Sequence, residues 1–430
     1  MIRLKTADET AAPVVFHVDV NSAFLSWEAV YRIRELGAKK DLRDGLCAVG
    51  GDRQARRGII LAKSQSAKGY GVRTGESILE AKRKCPDLKL VPANYHLYRQ
   101  SSEAFIKILK EYSPEVEQYS IDEAFMNMTG MEKLFGPPRE AAERIRERIF
   151  RELGFTVNIG ISTNKLLAKM ASDFKKPNLV HTLFPEEIPE KMWPLPVREL
   201  FFVGRSTEAS LKRLGIRTIG DLAKTDPELL KYHLKKHGEV IWNFANGRDA
   251  GVIETEETEN KNYGNSTTIP FDVTDEGTAR IVLLSLAETV GRRLRAGHVK
   301  AEGISVTIKN TDLHSVSHQA VFETPTNITE EVYRAACRLF EELWDGSAIR
   351  LLGISTSRIK EEGCARQMNI FEGEKYEKLE RLDHAVDEIR SKFGSGAVMR
   401  ASFLEQPVAH MAGREVRAEK KLDYKDIEIE

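Results

Sequence analysis

Apolar residues recur with two different spacings along the first half of this chain, and segments of the two kinds alternate. Short apolar runs predict β-strands over 14–20, 46–50, 58–62 and 155–161. Amphipathic or charged segments predict helices over 23–36, 77–84, 97–112 and 139–153. In 97–112, for example, Ala104, Ile108 and Tyr112 share one stripe. This order predicts a mixed β-sheet flanked by helices.

The second half divides into a helical unit, a linker and another α/β unit. Residues 185–249 predict short helices, and the acidic segment 254–261 has the composition of a flexible tether. Residues 263–361 then follow the order βαββαβ, with helices over 277–296 and 330–344. A last helix is predicted over 374–393, where Tyr376, Leu379, Leu382, Val386 and Ile389 fall on one stripe. The expected fold class is therefore α/β (α+β) and multidomain.

Three acidic residues are the strongest candidates for chemistry. Asp19 lies inside the apolar strand 14–20, and Asp122 and Glu123 follow Ser120-Ile121 about a hundred residues later. Strand residues alternate between faces, so Asp19 points to one side of an otherwise apolar segment. Three such carboxylates can hold a pair of divalent metal ions for phosphoryl transfer. The alternative is a turn acid and a buried ion pair.

Charge is balanced overall but unevenly distributed. The chain has 65 basic and 65 acidic residues, so its net charge says nothing about partners. Two stretches nevertheless contain cations and no acid: 53–75, with six cations, and 289–301, with Arg292, Arg293, Arg295 and Lys300. Separated basic stretches suit phosphate binding by one face, although a solvated helix face would look the same.

Cysteines and hydropathy point to a cytosolic protein. The four cysteines show no CxxC spacing, which argues against a zinc ribbon or a disulfide framework and fits a reducing compartment. No secretory signal or membrane-spanning apolar run is evident. We expect a cytoplasmic, nucleoid-associated protein without membrane contact.

Three sequence motifs, taken together with their order along the chain, resemble those of a known protein family. They are Val18-Asp19-Val20-Asn21-Ser22-Ala23-Phe24, Ser120-Ile121-Asp122-Glu123-Ala124-Phe125, and the segment 160–177 that begins Gly160-Ile161-Ser162-Thr163-Asn164-Lys165. With them, residues 13–361 resemble the Y-family translesion DNA polymerases. The Ala67-Lys68 pair leans towards the bacterial branch used in mutagenic, SOS-type repair synthesis.

The resemblance implies a set of domains and a metal site. It implies a palm (13–22 and 94–183), fingers (23–93), a thumb (184–249), a linker (250–262), a little finger (263–361) and a tail (362–430). It assigns Asp19, Asp122 and Glu123 as ligands of two Mg²⁺ ions, with the carbonyl of Val20 assisting.

The resemblance also implies nucleotide contacts. Phe24 matches the steric-gate position, where a planar ring excludes a 2′-hydroxyl; an ordinary core phenylalanine is the alternative. Lys68 and Lys176 match positions that contact the triphosphate. The family commonly has arginine at the position of Lys68. Gln65 stands where the better-known branch of the family often has a tyrosine. Lysine is a compact charge and does not make the paired hydrogen bonds of an arginine guanidinium. The family's affinity for nucleotides therefore cannot be assumed for this chain.

Further matches concern DNA and a protein partner. Phe202-Val203-Gly204-Arg205-Ser206 resembles a helix-hairpin-helix, in which Gly204 and Arg205 would meet a DNA phosphate. Arg205 alters the usual Gly-apolar-Gly core, so it either adds a contact or weakens the hairpin. In the little finger, the expected backbone contacts are Arg292, Arg293, Arg295, Lys300 and Arg358. Gln367, Ile370 and Phe371 resemble the peptide with which bacterial polymerases bind the sliding clamp.

Together these observations predict a monomeric, template-directed DNA polymerase of low fidelity and low processivity. It would add dNMPs to the 3′-end of a primer–template DNA and bypass damaged template. One alternative is a non-catalytic DNA-binding scaffold that recruits other polymerases, but a scaffold would be free to lose the three carboxylates. Another is a nucleotide cyclase, which would not need the hairpin, the basic stretches or the clamp-like peptide.

Overall fold

The computed structural model describes residues 13–51, 58–256, 260–364, 373–406, 408, 410 and 422–424. The strands are β1 (Val15–Val20), β2 (Cys47–Gly50), β3 (Ile60–Lys63), β4 (Lys89–Pro92), β5 (Val116–Gln118), β6 (Glu123–Asn127), β7 (Val157–Ser162), β8 (Val180–Thr182), β9 (Gly264–Val273), β10 (Val299–Asn310), β11 (Ser315–Thr326) and β12 (Ile349–Glu361). The helices are α1 (Ala23–Leu36), α2 (Gln65–Gly69), α3 (Ile78–Lys84), α4 (Tyr95–Lys110), α5 (Glu132–Phe135), α6 (Pro138–Leu153), α7 (Lys165–Ser172), α8 (Arg205–Arg213), α9 (Ile219–Lys224), α10 (Pro227–Leu234), α11 (Lys236–Ala245), α12 (Glu276–Ala296), α13 (Thr329–Leu343) and α14 (Gly373–Phe393).

The first sheet has five strands in the order β5-β6-β1-β7-β8. The central strand β1 pairs antiparallel with β6 and β7, while β7 and β8 are parallel. Phe16, Val18 and Val20 alternate along β1 and are almost completely buried. They pack on helices α1, α4 and α6 as part of one large hydrophobic cluster. The opposite face of β1 is therefore left for His17 and Asp19.

A smaller unit interrupts this domain between α1 and α4. Its three strands run in the order β3-β2-β4, with β2 and β4 parallel. The apolar sides of α2 and α3 cover the sheet through Ala67, Ile78 and Ala81. In the described part of the chain, β4 is an outer strand of this sheet and pairs with β2.

Helices α8 to α11 pack around a separate hydrophobic cluster that includes Leu211, Leu222 and Ile241. The last unit forms a four-stranded antiparallel sheet in the order β11-β10-β12-β9. Helices α12 and α13 cover it, so the βαββαβ order read from the sequence is present. The expected α/β multidomain architecture is confirmed.

Helix α14 is present, but its buried face differs from the apolar stripe that we expected. The buried residues are Tyr376, Asp383 and Arg390, whereas Leu382 and Ile389 are exposed. Asp383 lies 3.0 Å from Arg295 of α12, and Arg390 lies 3.1 Å from Glu288 of the same helix. The helix docks through buried charges because its partner surface on α12 is itself charged.

Several short elements were not predicted, among them β4, β5, β8 and α2. Each has five residues or fewer, too few for a periodic pattern. Within the described residues, no helix combines the length and apolar character that crossing a lipid bilayer requires.

Candidate active site

Strand pairing brings the three predicted carboxylates together. Asp19 is directly opposite Glu123 in the antiparallel pair of β1 and β6. Asp122 immediately precedes β6, and its carbonyl accepts a hydrogen bond from the amide of Val20 at 2.9 Å. Residues directly opposite in such a pair have Cβ atoms about 5 Å apart. The pairing of β1 with β6 therefore brings Asp19 next to Glu123, although about a hundred residues separate them in the sequence.

Two lysines neutralise these carboxylates. Nζ of Lys176 lies 2.8 Å from Oδ1 of Asp19 and 2.9 Å from Asp173. Nζ of Lys169 hydrogen-bonds to Glu123. In the described part of the chain, no three His, Cys, Asp or Glu side chains are grouped closely enough to hold a metal ion.

The donor set nevertheless suits a divalent cation. Burial raises the pKa of Asp122, as do the charges of Asp19 and Glu123, while a hydrogen bond from Ser120 opposes the rise. Burial would also raise the pKa of Glu123, but hydrogen bonds from His17 and Lys169 lower it to about 2. Concentrated carboxylate oxygen is what a hard cation such as Mg²⁺ prefers. Asp19, Asp122 and Glu123 are the residues that would hold it.

His17 is a site residue that the sequence analysis missed. Its ring is fully buried, with Nε2 3.2 Å from Oε2 of Glu123 and Nδ1 2.7 Å from Oγ of Ser172. Burial lowers the pKa of His17. The signal was available, since His17 is two residues before Asp19 and therefore shares its face of β1. His17 and Lys169 together fix the direction of the Glu123 carboxylate.

A small cavity adjoins Asp19 and collects the predicted triphosphate residues. It measures about 130 Å³ and is lined by Asp19, Gln65, Lys68 and Lys176, and also by Lys63. Helix α2 places Gln65 and Lys68, and Ser64 caps this helix by accepting a hydrogen bond from the amide of Ala67. Burial and the charge of Lys68 lower the pKa of Lys63. Three lysines at one cavity create an excess of positive charge beside the carboxylates.

Two buried asparagines hold the loop that carries Lys176. Asn158 of β7 donates to the carbonyls of Ser172 and Lys175. Asn21 accepts a hydrogen bond from the amide of Asn178 at 2.9 Å and donates to Asn158. The loop is therefore fixed on both sides of Lys176 by side chains of the sheet and the adjoining turn.

Helix α7 lies unusually close to the sheet at Gly160. A Cβ atom on Gly160 would be 1.9 Å from the carbonyl oxygen of Ala168. Only glycine permits this approach, which sets the height of Lys169 and Ser172 above β7.

Phe24 is partly buried and supported by aromatic neighbours. Its ring stacks on Tyr98 with centroids 4.4 Å apart and an interplanar angle of 9°, and Trp27 and Tyr95 are also near. Phe24 follows Ser22, which adopts a left-handed conformation with φ of 47° at the start of α1. The stack supports the ring two residues beyond Ser22, which lines the small cavity.

The predicted DNA contacts fall into two groups. Gly204, Arg205 and Arg358 are exposed, and Arg292 and Arg293 are half-buried. Arg293 also lines an open groove of about 790 Å³ on the sheet of β9 to β12.

Two of the predicted DNA contacts need correction. Arg295 is only 6% exposed and pairs with Asp383 at 3.0 Å and Asp387 at 2.7 Å. Lys300 is 8% exposed, with Nζ 6.0 Å from the ring centre of Tyr376. Because α14 covers both side chains, they are not available to a phosphate. Gln367, Ile370 and Phe371, the clamp-like residues, lie outside the described residues.

Comparison with known proteins agrees with this geometry. Residues 18–173 match the impB/mucB/samB family, residues 185–216 its helix-hairpin-helix motif, and residues 260–370 its C-terminal domain. Proteins named DNA polymerase IV from Clostridium acetobutylicum and Acetivibrio thermocellus are 44% and 39% identical. Each alignment spans 91% of this chain and 98% of the relative. DNA polymerase IV 2 of Bacillus subtilis is 37% identical over 91% of this chain and 94% of the relative.

A solved structure shares the fold. It is a Y-family DNA polymerase chimera of Dbh and Dpo4, with a TM-score of 0.68 and 22% identity over 81% of this chain and 99% of that chain. Membership of such a family implies dependence on divalent metal ions. The strand register of the carboxylates, the family matches and the curated relatives agree, and the chain belongs to the impB/mucB/samB family of Y-family DNA polymerases.

Proposed function

We propose that this chain is a template-directed DNA polymerase that adds dNMPs to a primer 3′-hydroxyl and continues across damaged template with low fidelity and processivity. The observation that carries the proposal is the register of β1 and β6, which sets Asp19 opposite Glu123 beside Asp122. This acidic group adjoins a cavity lined by Lys63, Lys68 and Lys176. Carboxylates beside lysines suit a reaction between a metal-bound triphosphate and a hydroxyl.

Within this proposal, Asp19, Asp122 and Glu123 would hold two Mg²⁺ ions, with the Val20 carbonyl assisting. Bound there, the ions supply the charge that favours the primer 3′-alkoxide and the leaving pyrophosphate. The 3′-hydroxyl releases its proton to solvent as its oxygen forms a bond to the α-phosphorus, and the bond from that phosphorus to the bridging oxygen of pyrophosphate breaks. His17 keeps Glu123 oriented during this step through its 3.2 Å contact.

The lysines bind the triphosphate and exchange partners when it arrives. Burial opposes a charged Lys176, but Asp19 and Asp173 raise its pKa, so it is protonated at neutral pH. Its 2.8 Å contact with Asp19 shows that Nζ reaches the rim of the small cavity. A bound triphosphate would pair with the ammonium group of Lys176. The Asp19 carboxylate would then be available to bind a cation.

Phe24 selects the sugar in this proposal. The ring is held by stacking on Tyr98, so it cannot rotate away without losing an aromatic contact. A rigid ring under the sugar leaves no space for a 2′-hydroxyl. Deoxynucleotides are therefore selected by exclusion.

DNA is held along its backbone by the thumb and the little finger. The exposed N-terminus of α8, with Gly204 and Arg205, suits a phosphate. Arg292, Arg293 and Arg358 contribute cations from the last sheet and its helix, whereas Arg295 and Lys300 do not. Work on DNA would place the protein at the nucleoid, and it would act as a monomer.

The sliding clamp is the proposed protein partner, through Gln367, Ile370 and Phe371. The segment between β12 and α14 contains these residues, and both elements pack in the same domain. Clamp binding would therefore be transmitted to the little finger over a short length of chain.

The test is running-start primer extension by the purified protein with Mg²⁺ on undamaged, abasic and bulky-adduct templates. We expect distributive extension that depends on template and continues past at least one lesion. A protein that binds DNA but never extends would instead be a recruiting scaffold.

A further inference from the structure

A buried polar site between α1 and α4 takes no direct part in nucleotide addition. Glu28 of α1 and Asn94, which precedes α4, are both buried. Glu28 pairs with Arg32 one turn later, with Nε of Arg32 2.8 Å from Oε1 of Glu28. Asn94 caps α4 by accepting a hydrogen bond from the amide of Leu97 at 3.1 Å. These contacts leave Oε2 of Glu28 and Nδ2 of Asn94 to be satisfied by another group, because burying such atoms without a partner is costly.

Tyr424, from the C-terminal region, satisfies both atoms. Its hydroxyl donates a hydrogen bond to Oε2 of Glu28 and accepts one from Nδ2 of Asn94, both at 3.0 Å. Its ring lies 5.3 Å from that of Tyr31 and 5.7 Å from Cζ of Arg32. Burial raises the pKa of Tyr424, so the hydroxyl keeps the proton that it donates. One side chain therefore joins α1 to the start of α4.

The same two helices carry the ring stack of Phe24 and Tyr98. Glu28 is four residues after Phe24 on α1. Tyr98 is likewise four residues after Asn94, and its amide donates to the Asn94 carbonyl at 3.1 Å. Residues four apart lie on the same side of a helix, about one turn from each other. The Tyr424 bridge and the stack of Phe24 on Tyr98, with ring centroids 4.4 Å apart, are therefore neighbouring connections between α1 and α4.

We propose that Tyr424 is a positioning residue for sugar selection, because it fixes the distance between the two helices that hold the ring of Phe24. The inference rests on the proposed function, in which that ring excludes a 2′-hydroxyl. Exclusion depends on where the ring lies, since a displacement of about 1 Å in a site is enough to change its rates strongly. Without the Tyr424 hydroxyl, a buried oxygen of Glu28 loses its donor and α1 is free to move relative to α4. The ring of Phe24 remains, but it is no longer held in place against the sugar.

Hydrogen exchange followed by mass spectrometry tests the bridge without using catalysis. The full-length protein is compared with Tyr424→Phe, which keeps the ring and removes both hydrogen bonds, and with Tyr424→Ala. We expect amides in the first turn of α4, including those of Leu97 and Tyr98, to exchange about fivefold faster in both variants, because the capping residue Asn94 loses a partner. Tyr232→Ala is the matched control, because Tyr232 is an exposed tyrosine of α10; it should leave these amides unchanged.

Sugar selection is the second measurement, expressed as the ratio of kcat/KM for a dNTP and the matching rNTP. We expect Tyr424→Phe to lower this ratio by about fivefold, less than Phe24→Ala does, and to leave kcat for the dNTP nearly unchanged. In a Phe24→Ala background, Tyr424→Phe should lower the ratio no further, because its effect acts through the ring. A merely structural contribution of Tyr424 would instead lower the Tm and reduce the use of both nucleotides alike.

Unchanged exchange in the first turn of α4 in both Tyr424 variants would overturn the proposal, as would an equal effect of Tyr232→Ala. An equal fall in the ratio with and without the Phe24 ring would also overturn it, since Tyr424 would then act by another route. A wild-type protein that never extends a primer would overturn the proposed function and this inference together. Normal extension with an unchanged dNTP/rNTP ratio in the Tyr424 variants would overturn this inference alone.

Discussion

At the scale of single residues, the candidate site is an electrostatic balance between three carboxylates and two lysines. The pKa of Glu123 is lowered to about 2, whereas that of Asp122 is raised. The difference follows from the partners: Glu123 is hydrogen-bonded by Lys169 and lies 3.2 Å from Nε2 of His17. Asp122 has the hydroxyl of Ser120 and, within the described residues, no lysine at ion-pair distance. A bound cation would therefore favour the charged form of Asp122, which burial and the neighbouring carboxylates disfavour.

We predict that Asp122→Ala abolishes nucleotide addition and leaves DNA binding largely unchanged. Removing this carboxylate deletes a shared ligand, while the proposed phosphate contacts lie in other domains. Steady-state primer extension and DNA affinity measure the two effects, with exposed Glu103→Ala as control. A variant within tenfold of the wild-type rate, about 1.4 kcal/mol of barrier, would contradict the metal assignment.

We predict that Phe24→Ala allows ribonucleotide incorporation and reduces dNTP use to a smaller extent. The missing ring opens the space beside the sugar, whereas Tyr98 remains packed in the core. The measurement is the ratio of kcat/KM for a dNTP and the matching rNTP. If the dNTP/rNTP ratio of kcat/KM is unchanged and the Tm is lower, Phe24 is an ordinary core residue and does not select the sugar.

At the scale of elements, the site depends on how closely α7 approaches β7. The contact at Gly160 sets the position of Lys169, and Asn158 and Asn21 set that of Lys176. Gly160, Asn158 and Asn21 are not proposed to touch the substrate; they position the lysines.

Gly160→Ala should therefore strongly destabilise the first domain and reduce activity. Its Cβ atom would be 1.9 Å from the Ala168 carbonyl oxygen and 2.5 Å from the Ser172 amide nitrogen, so the helix must move. Thermal unfolding checks this, with Gly396→Ala as control because no atom lies within 4 Å of its added Cβ. Equal Tm values for the two variants would show that α7 can shift freely.

The docking of α14 gives a second prediction at this scale. Arg295→Met leaves Asp383 and Asp387 without their buried cation, so we expect a loss of about 3–5 kcal/mol in the free energy of unfolding of the last domain, which contains β9 to β12. Arg334→Met removes an exposed pair with Glu330 at 2.8 Å and should change it by less than about 1 kcal/mol. Urea unfolding of the two variants measures the difference. Similar losses would mean that α14 contributes little to this domain.

At the scale of the whole molecule, the C-terminal part of the chain contacts helices that are distant from it in the sequence. Helix α14 returns to α12, and Tyr424 returns to α1 and α4. The C-terminal region thus contacts both the last domain and the first, and the proposed clamp peptide precedes both contacts.

We predict that alanine at Gln367, Ile370 and Phe371 together leaves distributive extension unchanged and removes stimulation by a loaded sliding clamp. A few apolar anchors dominate such interfaces, and the metal site is in another domain. Extension and Tm are measured with and without clamp. A destabilised protein that is still stimulated would mean that these residues belong to the little-finger core.

The sequence by itself determined the order of the longer elements, the βαββαβ unit and the identity of Asp19, Asp122 and Glu123 as candidates. These were readable because long periodic segments and an acid inside an apolar strand are local signals. Short strands such as β4 and β8 were not readable, because a few residues are held as strands only by their neighbours.

Only the tertiary structure decided how these side chains are used. It showed that Arg295 and Lys300 are covered by α14, that His17 and Lys169 hold Glu123, and that Tyr424 fills a site next to Glu28. Arg292, Arg293 and Arg295 look equivalent along the chain, yet Arg295 is buried against Asp383 and Asp387, whereas Arg292 and Arg293 are half-buried. The physical reason is that pairing and burial depend on the direction of a side chain and on distant partners, which residue type and spacing do not encode.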